Sequence, residues 1–199
     1  MTNAAILVGG QARRFGGVDK SALAVDGRSI LDRQLTMLAD VERIREVMLV
    51  GGATVRPQGR MIPDRVPGSG PLGGIHAALA TTIEEGGDAV FVLACDMPYV
   101  TADLINHLLD RSADADVVVP HTDRGYHPLC AVYGRACLGP IEQHLAERRL
   151  KITHLFSDVR THAIDANELS RFGEPRRLLS NVNTPHDHAA LHASQDHEL

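Results

Sequence analysis

The sequence predicts an α/β domain in which a mostly parallel sheet is covered by helices on both faces. Three observations predict it. Short, almost wholly apolar runs alternate along the chain with segments whose apolar residues recur every three or four positions. The runs lack polar alternation, which is the pattern of strands buried on both faces rather than one. The chain has 199 residues, 44% of them hydrophobic and 23% charged, which suits one globular domain with a full core.

Taken in order, Asn3 to Val8 is the first apolar run, and it stops at Gly9-Gly10. Gly9 to Asp19 holds four glycines and three charges in eleven residues, the chemistry of a loop. From Ser29, an apolar series at Ile30, Leu31, Leu35 and Leu38 has helical spacing, with Asp32, Arg33 and Gln34 expected to face away. Val47 to Val50 reads as a second buried strand, ended by Gly51-Gly52. Arg65 to Gly74 is a turn-rich connection with two prolines and four glycines, leading into a helix predicted over Ile75 to Glu85.

Asp88 to Cys95 is the clearest strand, built on Ala89-Val90-Phe91-Val92-Leu93-Ala94. Asp96-Met97-Pro98 follows it, and Thr101 is placed to cap a helix that carries Leu104, Leu108 and Leu109. Asp116 to Pro120 and His127 to Tyr133 read as strands, with Arg135 to Arg149 helical behind them. Further on come a strand around His162 to Asp165, a loop at Asn181-Val182-Asn183 and a short helix from Pro185. In open α/β sheets ligands lie at the carboxyl ends of the strands. Gly9-Gly10, Gly51-Gly52 and Asp96 all fall at such ends and are expected to converge.

Composition narrows the function. A net charge of −5 and a pI near 6.1 argue against a nucleic-acid binder, which is normally basic. No apolar run approaches the roughly 18–20 residues of a membrane span. The start, Met1 to Gly10, lacks the positive segment of a signal peptide. Cys95, Cys130 and Cys137 are odd in number and form no CxxC pair, so a cytoplasmic protein with reduced thiols is expected. His186, His188, His192 and His197 crowd the C-terminus without cysteine partners and read as a solvated helix and tail.

The segment Gly9 to Lys20 is the strongest chemical signal. Glycines let the backbone approach a phosphate and present N–H groups to it. Arg13, Arg14 and Lys20 add positive charge, and an arginine can grip phosphate through two hydrogen bonds. Neither familiar phosphate motif fits. A dinucleotide fingerprint would open a helix here, and in a P-loop the lysine would directly follow the glycine, whereas Lys20 stands three residues after Gly17. Asp96, directly after a buried strand, is placed to hold Mg²⁺, a hard cation served by oxygen. Asp64 lies before the second glycine-rich connection and also fits a turn-former ahead of Pro67. The connection to Gly74 offers a close-approach surface for a second, bulky or anionic ligand, and paired Asn181 and Asn183 amides suit the edges of a heterocycle.

These motifs together resemble a known family. Leu7-Val8-Gly9-Gly10, with Arg14-Phe15-Gly16-Gly17-Val18-Asp19-Lys20, is similar to the LAGG…RMGGxDK signature of molybdenum cofactor guanylyltransferases, the MobA family. Gly70 to Ile75, Leu93 to Pro98, His127 to Tyr133 and Asn181-Val182-Asn183-Thr184-Pro185 match further segments in order. Val8 stands where the family has Ala and Phe15 where it has Met, and no Asn follows Val50.

The resemblance implies a three-layer, Rossmann-like nucleotidyltransferase domain over 1–199. Residues 1–95 would form the nucleotide half, 96–190 the acceptor half and 191–199 a tail. It implies transfer of GMP from GTP to the terminal phosphate of molybdopterin, with or without molybdenum, releasing pyrophosphate. Leu7, Val8, Gly9, Gly10, Lys20, Asp64 and Asp96 would bind GTP. Lys20, Arg14 and Asp96 would act in catalysis, Asp96 with Mg²⁺. Pro71, Gly73, Asn181 and Asn183 would meet molybdopterin. Molybdenum-insertion proteins and enzyme-specific chaperones are the protein partners it suggests. The residues alone also fit a cytidylyl- or sugar-phosphate nucleotidyltransferase, or a non-catalytic nucleotide binder.

Overall fold

A computed structural model of the chain describes residues 2–8, 24–25, 27–51 and 59–182. In chain order the strands are β1 (Thr2–Leu7), β2 (Ala24–Val25), β3 (Arg28–Ser29), β4 (Ile44–Val50), β5 (Arg60–Ile62), β6 (Ala89–Ala94), β7 (Val117–Thr122), β8 (Gly125–Tyr126), β9 (Cys130–Gly134) and β10 (Thr161–Ile164). The helices are α1 (Ile30–Ala39), α2 (Gly70–Glu84), α3 (Ala102–Arg111), α4 (Leu138–Ala146), α5 (Ala166–Leu169) and α6 (Pro175–Leu178). Tighter 3₁₀ turns cover Arg135–Cys137 and Ile152–Ser157.

The main sheet runs β10-β7-β9-β6-β1-β4-β5, with β8 paired to β7, while β2 and β3 form a separate antiparallel pair. β1 lies parallel to β4 and β6, β5 parallel to β4 and β10 parallel to β7. β9 alone among the described strands on the main path runs against its neighbours β6 and β7. Two residue sets split the sheet by parity, as a period of two requires. Ala4, Ile6, Phe91, Leu93 and Val118 pack with Leu31, Leu35, Leu104 and Leu108 on the side of α1, α3, α5 and α6. Ala5, Leu7, Val90, Val92, Val117 and Val119 pack with Leu72, Ile75, Leu79 and Ile141 on the side of α2 and α4. Both faces are therefore covered, as the unbroken apolar runs predict.

Local chemistry sets the helix starts. The Ser29 hydroxyl accepts the Asp32 N–H at 3.0 Å, and that of Thr101 accepts the Leu104 N–H at 3.3 Å, so the Thr101 cap is where the sequence puts it. α2 departs from expectation. It begins at Gly70, five residues before Ile75, because Pro71 at the helix start carries the backbone angle a first turn needs. The Pro71–Gly74 stretch is thus helical rather than loop. Leu72 through Thr82 are all buried, since α2 is enclosed between the sheet and α4.

The other differences are of boundary and of short elements. The second strand starts at Ile44, three residues before Val47. The segment behind β9 begins as a 3₁₀ turn and ends its α-helix at Ala146. β5, α5 and α6 were not expected; each has three or four residues, too few to show a period. The expected helix from Pro185 lies outside the described residues.

Candidate active site

Parallel register brings three strand ends side by side. Leu7 of β1 lies level with Val50 of β4 and with Ala94 of β6. Hydrogen bonding continues past the strands, from the Val8 N–H to the Val50 carbonyl at 3.0 Å and from the Cys95 N–H to the Leu7 carbonyl at 3.4 Å. With neighbouring strands about 5 Å apart, Val8, Gly51 and Cys95-Asp96 emerge along one rim. Gly9, Gly10 and Gly52 lie outside the described residues, as do Arg13, Arg14, Lys20 and Asn183. Their convergence on Asp96 rests on the sequence.

Asp96 sits half-buried in the turn after β6. Its Oδ1 accepts from the Asn181 side-chain amide at 2.7 Å, and its carbonyl accepts the Val182 N–H at 2.8 Å. Val182 is buried against Ile30 and Tyr99, which seats this segment over the start of α1. Arg177 lies 4.9 Å above the Tyr99 ring, and Arg176 pairs with Asp123 at the β7–β8 turn at 2.8 Å. Two residues that the resemblance assigns to different ligands, Asp96 and Asn181, are therefore in direct contact across 85 positions.

Gln34 corrects the expectation that it faces away. It is 2% exposed, and its Nε2 donates to the carbonyls of Ala94 at 2.8 Å and Met97 at 3.0 Å, the residues flanking Cys95-Asp96. Each such bond contributes about 1 kcal/mol, and leaving a buried carbonyl unmet costs about 1–3 kcal/mol. The signal was in the spacing. Position 34 follows Ile30 by four and Leu31 by three, on the inner stripe, and the polar residue type concealed it.

The remaining candidates divide. Asp64 is exposed just past β5, at the same rim as Gly51, whose N–H reaches the Ile62 carbonyl at 3.4 Å. Arg65 is committed elsewhere, to Glu84 at 2.6 Å and the Thr81 hydroxyl at 3.0 Å, and the Glu84 carboxylate holds its pKa above the usual value. Pro71 is exposed. Gly73 turns toward its own chain, where a Cβ would meet the Ser69 Cβ at 2.9 Å and the Val66 carbonyl at 3.3 Å. Gly74 packs on β1, where a Cβ would lie 3.1 Å from Leu7 Cδ2. Gly73 thus lets the start of α2 close on its own entry turn, and Gly74 lets the helix close onto the end of β1.

His127 is half-buried with its Nε2 2.9 Å from the Thr122 hydroxyl. Desolvation, then the Arg124 charge, lowers its pKa, so the ring is neutral near pH 7. The Tyr133 hydroxyl donates to the Pro128 carbonyl at 2.7 Å, giving the His127–Tyr133 motif a structural role in tying β9 to its own entry turn.

Burial pushes the Cys130 and Cys137 thiols up to about 12, whereas Cys95 at the rim is only partly covered. A thiol reagent at about pH 8 is expected to modify Cys95 alone in the native protein and all three cysteines after unfolding. Counting labelled sites by intact mass checks this.

No group of three His, Cys, Asp or Glu among the described residues could hold a metal by itself. A single carboxylate with an uncommitted Oδ2 among the described residues fits instead a hard cation that takes its other ligands from phosphate and water. No helix among the described residues is long and apolar enough to cross a membrane.

Comparison with known proteins agrees with this fold. The family described as "MobA-like NTP transferase domain" matches residues 4–161. A protein of Pelotomaculum thermopropionicum named "Probable molybdenum cofactor guanylyltransferase" is 34% identical over 185 residues, covering 92% of this chain and 87% of that protein. The "Molybdenum cofactor guanylyltransferase" of Desulfosudis oleivorans is 33% identical over 183 residues, 90% of this chain and 88% of its own length. The crystal structure of molybdopterin-guanine dinucleotide biosynthesis protein A from Archaeoglobus fulgidus shares the fold. Its TM-score is 0.79 at 24% identity, with 98% and 99% of the two chains covered.

Proposed function

Because the chain belongs to the MobA-like NTP transferase family and is a nucleotidyltransferase, we propose that it transfers GMP from GTP to the terminal phosphate of molybdopterin, with or without molybdenum. The observation that carries this reading is the contact between Asp96 and Asn181 at the rim where β1, β4 and β6 end. It joins the expected nucleotide side to the expected acceptor side at one carboxylate.

A phosphate-monoester oxygen of the acceptor attacks the α-phosphorus of GTP, the bond to the β-phosphate oxygen breaks, and pyrophosphate leaves. The monoester is mostly ionised near neutral pH, so no strong general base is needed. The task is to bring an anion up to a triphosphate, which calls for alignment and positive charge. Leu7 and Val8, with Gly9 and Gly10, would present backbone groups to guanine, whose O6 accepts while N1–H and N2–H₂ donate. Lys20 and Arg14 would neutralise the triphosphate, and Asp64 would contribute to the same subsite. Asp96 would hold Mg²⁺, which when bound supplies further charge neutralisation at the phosphate oxygens. Asn181, Asn183 and Pro71, exposed in the first turn of α2, would face molybdopterin, with Asn181 also holding Oδ1 of Asp96, while Gly73, closed against Ser69 and Val66, would shape that turn. We place the reaction in the cytoplasm, with molybdenum-insertion proteins and enzyme-specific chaperones as candidate protein partners.

The test is pyrophosphate release from each of the four nucleoside triphosphates with Mg²⁺, with and without molybdopterin. Release from GTP that requires molybdopterin is expected. A preference for CTP would overturn the base assignment, and GTP binding without any release would make the protein a nucleotide binder.

A further inference from the structure

Among the buried polar side chains of the described residues, Gln34 is one that reaches the turn carrying Asp96. α1 could complete its inner stripe of Ile30, Leu31, Leu35 and Leu38 with any apolar residue at position 34. It carries an amide instead. Gln34 spans the β6-to-α3 turn, donating to Ala94 and Met97 at 2.8 and 3.0 Å, while its Oε1 is buried with no hydrogen-bond partner among the described residues. An amide buried at that cost, with both donated bonds on one turn, serves the turn rather than the helix.

The turn needs outside support. Its own closure is a 3.3 Å hydrogen bond from the Met97 N–H to the Ala94 carbonyl, and Cys95 is held to β1 at 3.4 Å, both long. Asn181 and Val182 fix Asp96 from the C-terminal segment, and Gln34 fixes the residues on either side of Cys95-Asp96 from α1. We propose that Gln34 is a positioning residue of the Asp96 carboxylate: it clamps the turn so that the side chain is presented to the cation in one orientation. This rests on the proposed reading of Asp96 as the Mg²⁺ ligand. A group that orients a metal ligand from behind is worth about 10–100-fold in metal affinity.

The test compares Gln34→Leu, which removes both donors, with Leu108→Ala, a substitution buried in α3 that destabilises the core and removes no hydrogen bond of the turn. Amide hydrogen exchange of the whole chain is read at Cys95 and Met97. Protection there is expected to fall about tenfold further than at the central β6 amides in Gln34→Leu, and in step with them in Leu108→Ala. Free Mn²⁺ is followed by electron paramagnetic resonance in the presence of GTP. Its half-saturating concentration is expected to rise about tenfold in Gln34→Leu and not in Leu108→Ala. If Gln34→Leu does not fold, Gln34→Glu keeps the shape, places oxygens against the two carbonyls and takes the same measurements. Exchange at the turn that merely follows global stability would overturn the proposal, as would unchanged Mn²⁺ affinity beside a loosened turn. A native protein that holds no Mn²⁺ with GTP would overturn the metal reading of Asp96, leaving exchange to decide whether Gln34 holds the turn.

Discussion

Asp96→Ala is expected to lower the rate of pyrophosphate release by about 10³-fold or more, because several kcal/mol of charge stabilisation at the phosphates disappears with the carboxylate. The variant should still fold. Asp96 is half-buried in a turn, and the losses are one hydrogen bond from Asn181 and the orientation it confers. Asp96→Asn separates the two roles, since an amide oxygen can still accept from Asn181 while the negative charge is gone. Both variants are expected to be equally inactive, with the asparagine form melting closer to the native protein. Single-turnover pyrophosphate release with GTP and molybdopterin measures the first effect, and thermal unfolding followed by circular dichroism the second. Turnover within about tenfold of native in either variant would remove Asp96 from the chemistry.

Lys20→Ala is expected to reduce kcat by about 10²-fold or more, the usual cost of losing one positive group aimed at charge that develops in the transition state. Its effect should fall on kcat more than on KM for GTP if the charge is felt chiefly as the pyrophosphate leaves. The chain supplies its own control. Only Lys20 and Lys151 are lysines, and Lys151 is exposed ahead of the 3₁₀ turn Ile152–Ser157. Lys151→Ala should leave both constants unchanged. Steady-state kinetics of the two variants side by side give the answer, and equal small losses would count against a phosphate role for Lys20.

Much of the architecture was legible because burial on both faces leaves a mark that depends on residue type alone. Val90, Val92 and Phe91, Leu93 must all be apolar when one pair faces α2 and the other α3. The cap at Thr101 was readable for a related reason, and the one found at Ser29 carries the same signal: a short polar side chain meets an N–H three residues ahead, wholly within local sequence. The direction of β9 was also within reach. The seven residues between β7 and β9 are too few for a crossover of about a dozen, so a strand that pairs with β7 there must run against it.

What stayed hidden depends on distance along the chain. Gly74 looks the same in sequence whether it forms part of a ligand loop or lets a helix close onto Leu7, and only the packed helix distinguishes the two. Arg65 opens the connection expected to meet an anionic ligand, and its pairing with Glu84, a few helical turns later, shows only in the folded chain.

By itself, then, the order of residues determined the layered sheet, the rim on which its strands end, and the kinds of group gathered there. Those properties follow from local periodicity and from the chemistry of single side chains. Tertiary structure alone decided that Asn181 holds Asp96 and that Gln34 grips the turn around it. Hydrogen bonds between positions 60 to 85 apart exist only once the sheet register has brought the strand ends level.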